Sequence, residues 1–335
     1  MNAPLVGQGT FRYRPDPAWD KFPGDGPLGE AVGVATDSRS RVYVFLRSPV
    51  PVRVYEADGT PLAAWGEGMI TRAHGIAIGP DDTVWLTDDF GHAVHSFTTD
   101  GRHKSTLGTP GQPSATGATS IDYRTIRWPG PPFCYPTNLA IAPDGDLFVA
   151  DGYGNARVHR FSSEGRLIAS WGEAGSGPGQ FHVVHGIAVD ADGTVCVADR
   201  ENNRLQAFSP EGKHRGDWTG LARPCEVFID RANGLYYVAE LGFRAGRWPG
   251  TGSHGPGDAF GRMSVFDRGG KLLSRWGGEG DPTAPGDFFA PHDVWVDGRG
   301  DVYVAEVALS GGGRTGLVAP SCHCLQKFVR ATGDS

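Results

Sequence analysis

A sixfold repeat limits this chain to one kind of architecture. An apolar alternating run, a turn rich in Asp and Gly, a second β-rich run usually ending in an acid, and a third strand recur along its length. The clearest copies are His74–Ile78 with Val84–Asp88 and His185–Val189 with Val195–Asp199. Val32–Thr36 with Val42–Val44, Thr137–Ile141 with Leu147–Asp151, Cys225–Ile229 with Leu235–Glu240, and His292–Val296 with Val302–Glu306 complete the set. Third strands recur at Val52–Tyr55, Ala93–Phe97, Arg157–Phe161, Arg204–Phe208, Arg262–Phe266 and Cys324–Phe328. Most lead to a fourth strand ending near Trp-Gly, as in Leu167–Gly172. Period-two alternation broken by frequent turns is a strand signal. Four strands repeated six times at a spacing of roughly forty to sixty residues predict an all-β, six-bladed β-propeller of four-stranded blades. It occupies residues 1–335 as a single domain, with blades starting near Val32, His74, Thr137, His185, Cys225 and His292.

After Phe328 no fourth strand remains for the last blade, and the strand-like Thr10–Arg14 precedes the first. The N-terminal strand is therefore expected to fill that gap, closing the ring and removing exposed edges. Two insertions, Gly242–Gly261 in blade five and Ala308–Ser321 in blade six, read as too Gly-rich to pack as core. They are expected to be loops over one face, in the position of lids.

Composition excludes several classes of function. A formal net charge of −7 without clustered Lys and Arg argues against a nucleic-acid surface. No apolar run is long enough to span a membrane. The start, Met1–Gly9, has neither a basic nor an apolar segment of the secretory kind. Five scattered cysteines, Cys134, Cys196, Cys225, Cys322 and Cys324, make a poor disulfide framework. These features lead to the expectation of a cytoplasmic protein with neither a nucleic-acid nor a membrane partner.

Aligning the copies places one residue per blade just before the innermost strand: Val32, His74, Thr137, His185, Cys225 and His292. That strand lines the central channel of a propeller, so these six residues form a ring. Histidine occupies alternate blades, which lie about 120° apart, the arrangement three imidazoles need to share one metal ion. Three protein ligands with an open position describe a catalytic rather than a structural site. An isolated histidine is more often an ordinary hydrogen-bonded residue. Here three of eleven fall on one register and skip every other blade, which is not a chance pattern. The other eight (His92, His95, His103, His159, His182, His214, His254 and His323) lack it and are taken as structural or exposed. Cys322-His323-Cys324 has no second pair at finger spacing.

Arg47 and Arg200 follow the second strands of blades one and four, on a register that brings them to the histidine end. Each fits a salt bridge with neighbouring acids, or a substrate carboxylate beside the metal. Tyr153, in Asp151-Gly152-Tyr153-Gly154-Asn155, comes from blade three at similar depth, as an aromatic wall or a general base. No Gly-rich phosphate loop, dinucleotide fingerprint or nucleophile elbow is present.

Arg47, His74-Gly75, Phe133–Thr137, Asp151-Gly152-Tyr153, Ala198–Asn202 and Pro291-His292-Asp293 resemble the peptidyl-α-hydroxyglycine α-amidating lyases, six-bladed propellers of the NHL-repeat type. The resemblance spans almost the whole chain and is most specific from Phe133 to Phe208. It implies zinc at His74, His185 and His292, arginines for substrate carboxylate and catalysis at Arg47 and Arg200, and Tyr153 as the base. It further implies a structural calcium held by the Asp293 carboxylate and the main-chain carbonyls of Val34 and Ile76; hard oxygen ligands suit that ion. The implied reaction breaks the C–N bond of an N-acyl carbinolamine, giving an amide and an aldehyde, glyoxylate for a hydroxyglycine. The partner is then a small or short peptide-like molecule carrying a carboxylate.

The chain departs from the family in three ways. Secreted members pair the Cys134 position with that of Gly154, and the Cys196 position with that of Ala207; both partners are missing. Ala290 stands where a methionine is expected, which alters the substrate pocket. No hydroxylating domain is present in the chain. A zinc-dependent carbon–nitrogen lyase is the first reading. A metal-dependent lactonase or esterase is the second, and a non-catalytic NHL interaction scaffold the third.

Overall fold

A computed structural model of the chain describes residues 4–21, 29–246, 259–319 and 322–331. The alternating runs fold as six antiparallel sheets arranged as a six-bladed β-propeller. The inner strands are Ala31–Thr36, Ala73–Ile78, Asn138–Ile141, Val184–Val189, Pro224–Asp230 and Pro291–Val296. Five sheets run outward in chain order from the inner strand to the fourth. The sixth takes Phe11–Pro15 as its fourth strand, paired with Leu325–Arg330 through Tyr13 opposite Arg330. The expected closure is therefore present. Val6–Gln8 adds a fifth, outer strand to that blade, and a short parallel pair joins Glu173–Ala174 to Gln180–Phe181; neither was expected from the repeat.

Burial follows depth in the blade. All of Ala31–Thr36 except Thr36 is buried, whereas no residue of the outer strand Pro61–Trp65 is. The apolar side chains meet between blades. Tyr43, Phe45, Val52 and Val54 of blade one pack with Val84, Leu86 and Phe97 of blade two. Phe148, Ala150 and Val158 of blade three pack with Val195, Val197 and Phe208 of blade four. Truncating one such side chain costs about 2–5 kcal/mol, because the neighbouring blade cannot collapse into the hole.

The ring residues do not precede the inner strands, as the alignment suggested. In five blades each is the second residue of the strand; Thr137 alone lies just before its strand. The strand register slips at these points. Ala73 opposes Asp88 and Gly75 opposes Thr87, so His74 has no cross-strand partner. Val32, Cys225 and His292 are skipped in the same way, and in blade four the slip spans His185 and Gly186. A bulge inserts an extra residue and re-aims its side chain, which here turns the imidazoles into the channel.

The insertions also depart from expectation. Their described parts are packed: Ala245, Ala308 and Val318 are buried with Leu241, Phe289, Ala290 and Val307. Ala308–Gly311 forms one helical turn and Gly313–Thr315 a 3-10 turn. Small side chains let these segments sit close on the inner strands, where the glycine content suggested no packing at all. Most of Gly242–Gly261, together with positions 320 and 321, lies outside the described residues.

Candidate metal centre

The three bulges bring His74, His185 and His292 together. Their ring centroids are 4.8, 4.9 and 4.7 Å apart, and one nitrogen from each lies within 4.8 Å of the others. All three are buried. The intervening ring residues orient them. His74 Nδ1 is 2.6 Å from the Thr137 carbonyl, His185 Nδ1 is 2.9 Å from that of Cys225, and His292 Nδ1 is 2.7 Å from that of Val32. Each imidazole is thus held by the ring residue of the next blade. A carbonyl only accepts, so Nδ1 carries the proton and Nε2 presents a lone pair. Burial is the main force keeping the imidazoles neutral; it pulls His74 and His185 well below 6.5 and His292 to about 3. The charges of Arg47 and Arg200 push His185 and His292 the same way. Neutral imidazoles with converging Nε2 atoms are the donor set that a tetrahedral metal ion with one open position requires.

Tyr153 meets this cluster. Its hydroxyl is 3.2 Å from His74 Nε2, 3.2 Å from His185 Nε2 and 3.3 Å from Arg200 Nη1. Arg200 is buried, with Nε donating to Glu201 at 2.8 Å. Arg47 donates to Glu30 at 2.8 Å, to Ser310 Oγ at 3.0 Å and to the Ala73 carbonyl at 3.2 Å. The salt bridge and the place near the histidines therefore coexist for both arginines. Tyr153, Arg47 and Arg200 all come from turns after second strands, which return to the channel end where the inner strands begin.

Asp293 occupies the position after His292 and is buried. It accepts from the Val34 and Val294 N–H groups, each at 2.8 Å, and burial lifts its carboxyl to about 7. In an antiparallel strand the N–H and C=O of one residue face the same side, so the Val34 carbonyl also faces the channel. Ile76 holds the same register in blade two. Sequence reasoning missed two neighbours. Glu226, pushed well above the usual carboxylate range by burial and by Asp293, accepts from the Asn138 amide. The signal was present one step past each ring residue: Gly33, Gly75, Asn138, Gly186, Glu226 and Asp293. The glycines make room, since a Cβ at Gly75 would lie 2.5 Å from Asn138 Oδ1 and one at Gly186 2.7 Å from Glu226 Oε1. Asn138, Glu226 and Asp293 floor a cavity of about 550 Å³ that neither Tyr153 nor either arginine lines.

All five cysteines are free and buried. Of the eight remaining histidines, His92, His95 and His159 are buried in hydrogen bonds within and between blades, and His254 lies outside the described residues. Among the described residues no helix is long and apolar enough to cross a membrane.

Fold and site together define a six-bladed propeller with a buried three-imidazole cluster in its channel. Residues 133–161 and 181–208 match the NHL repeat. The chain is 30% identical over 300 residues to peptidyl-α-hydroxyglycine α-amidating lyase 1 of Drosophila melanogaster, covering 81% of this chain and 50% of that protein. It is 32% identical over 225 residues to NHL repeat-containing protein 3 of Homo sapiens, covering 64% of this chain and 60% of that one. The chain thus spans about half the length of these relatives. In fold it resembles a gluconolactonase of Xanthomonas campestris, with a TM-score of 0.61, 14% identity and 99% of each chain covered. It is a six-bladed propeller that carries NHL repeats and is similar in sequence to the peptidyl-α-hydroxyglycine α-amidating lyases.

Proposed function

We propose that the protein is a zinc-dependent lyase that cleaves the C–N bond of an N-acyl carbinolamine bearing a carboxylate. The observation that carries this reading is the Tyr153 hydroxyl, within 3.2 Å of two metal-site nitrogens and 3.3 Å of Arg200. Nitrogen donors favour zinc over the hard alkaline-earth ions. Held by His74, His185 and His292, zinc supplies positive charge where negative charge develops on oxygen. Arg47 and Arg200 hold the carboxylate end of the substrate. Tyr153 takes the proton of the α-hydroxyl. The O–H electron pair then forms the C=O bond, the C–N bond breaks, and the amide nitrogen leaves with the proton that Tyr153 took. An N-acyl-α-hydroxyglycine so yields a primary amide and glyoxylate.

A structural calcium at Asp293, with the carbonyls of Val34 and Ile76, belongs to the same proposal. The oxygen donors there suit it.

A calcium-dependent hydrolase of lactones or esters is the second reading. Asn138, Glu226 and Asp293 favour it, because they gather oxygen donors at the floor of the 550 Å³ cavity. Incubating zinc-loaded protein with α-hydroxyhippurate and measuring glyoxylate decides between the readings. Turnover is expected, and Tyr153→Phe lowers it about 10²–10⁴-fold with zinc retained. No glyoxylate, with lactone hydrolysis on calcium alone, overturns the lyase reading.

A further inference from the structure

The charges behind Arg200 continue outward in an unbroken chain. Arg223 sits just before the inner strand of blade five, buried, with φ of 55°, an uncommon conformation for a residue with a side chain. Its Nε lies 3.2 Å from both Glu201 oxygens, and Nη2 donates to Oε1 at 2.7 Å. The same guanidinium donates to three carbonyls of the blade-five insertion: Gly242 at 3.3 Å, Ala245 at 2.6 Å and Gly246 at 3.0 Å. Glu201 in turn receives Arg200 Nε, and Arg200 Nη1 reaches the Tyr153 hydroxyl. The blade-five insertion joins that of blade six, through Gly246 N–H to the Gly311 carbonyl at 2.9 Å. Ser310 of blade six receives Arg47. The described parts of the two insertions therefore form one roof, bonded directly to Arg47 and tied to Arg200 through Arg223 and Glu201.

Anchoring a loop needs only its carbonyls. Arg223 also closes a two-oxygen pair with Glu201, and a planar fork holds its partner in a fixed orientation. Glu201 so fixed presents Oε1 to Arg200 Nε from one direction.

We propose that Arg223 is a positioning residue, which locks the roof to Glu201 and thereby sets Arg200 against Tyr153, so that roof and Tyr153 keep or lose their order together. This rests on the reading of Tyr153 and Arg200 as reacting groups. Arg223→Met keeps an apolar stem and removes every one of these bonds.

Amide hydrogen exchange over 152–156 and over 241–246 is the primary readout, because it needs no substrate. Exchange is expected to rise about tenfold or more in both segments. The kcat on α-hydroxyhippurate should fall about 10–100-fold with zinc content unchanged, as for a misplaced reacting group. A rise confined to 241–246, with kcat as in the wild type, overturns the coupling and leaves a loop anchor; so does no rise in either segment. If Arg223→Met does not fold, Glu201→Gln carries the test by the same two readouts. A wild-type protein inactive on carbinolamides removes the lyase reading alone, and the exchange pattern then decides the coupling.

Discussion

Gly152→Ala places one methyl group between the two halves of the centre. A Cβ at Gly152 would lie 1.8 Å from the Val184 carbonyl oxygen and 2.5 Å from its carbonyl carbon and nitrogen. A comfortable carbon–oxygen approach is about 3.3 Å, so the two backbones must part by about 1.5 Å. These are the segments that carry Tyr153 and His185. The same Val184 carbonyl accepts from Thr137 Oγ1 at 2.9 Å, so the shift also strains the ring residue that orients His74. Backbone atoms cannot swing aside as a side chain tip can, and overpacking of this kind costs about 1–3 kcal/mol. Metal distances tolerate only about 0.2 Å, and a 1 Å displacement of a reacting group costs about a hundredfold in rate. The variant should therefore fold, bind zinc substoichiometrically after dialysis, and lose about a hundredfold or more in kcat/KM on α-hydroxyhippurate. Elemental analysis and circular dichroism on one preparation separate these effects. Full zinc content with activity within about threefold of the wild type would refute the claim that these two segments set the centre.

The same geometry leads to other outcomes. A Cβ at Gly154 would lie 2.5 Å from Cys134 Sγ and 2.7 Å from the Cys134 carbonyl oxygen, so Gly154→Cys should form a disulfide on oxidation, closing a loop of about twenty residues, with the backbone shift offsetting part of the loop's gain of about 3 kcal/mol; two titratable thiols remaining there after oxidation would sink this. The metal-free protein should lose stability in acid through its histidines. His292 titrates near 3 when folded and near its ordinary 6.5 when unfolded, so its contribution is complete above about 6.5 and is lost as the pH falls toward 3. Denaturation of metal-free wild type and His292→Gln at about pH 7.5 and about pH 5 should show the gap between them shrinking in acid, and a constant gap would contradict the assignment.

The blades and the meeting of the three histidines were legible in the sequence because both rest on side-chain identity at a fixed register. The period-two runs announced the strands, and histidine at alternate ring positions announced the centre. The bulge was not legible. His74 reads as the start of a strand either way, and only the slip between Ala73 and Gly75 shows how it is turned inward. The orientation of the imidazoles was hidden for a related reason. Val32, Thr137 and Cys225 act through their carbonyls, and a carbonyl is the same in every residue type. Glu226 and Asn138 could have been found by comparing the residues one position beyond the ring in all six blades. The packing of the roof was not legible because its glycine content reads as chain that cannot pack as core, whereas Gly311 sits where a Cβ would come within 3.1 Å of Ala290 Cβ, a contact that small residues allow. Ion pairs such as Arg223 with Glu201 join the turns of neighbouring blades, whereas Arg72 on the same register pairs with Asp89 of its own blade, so the repeat does not encode which turns are joined.

One metal ion shared by His74, His185 and His292 beside the Tyr153 hydroxyl is the central claim. Anomalous diffraction at the zinc edge from crystals of the native protein, combined with elemental analysis of wild type and His185→Ala, tests that directly. The expected result is one zinc per chain, bonded to the three Nε2 atoms and lost in the variant. Zinc elsewhere, or equal zinc in His185→Ala, would contradict it.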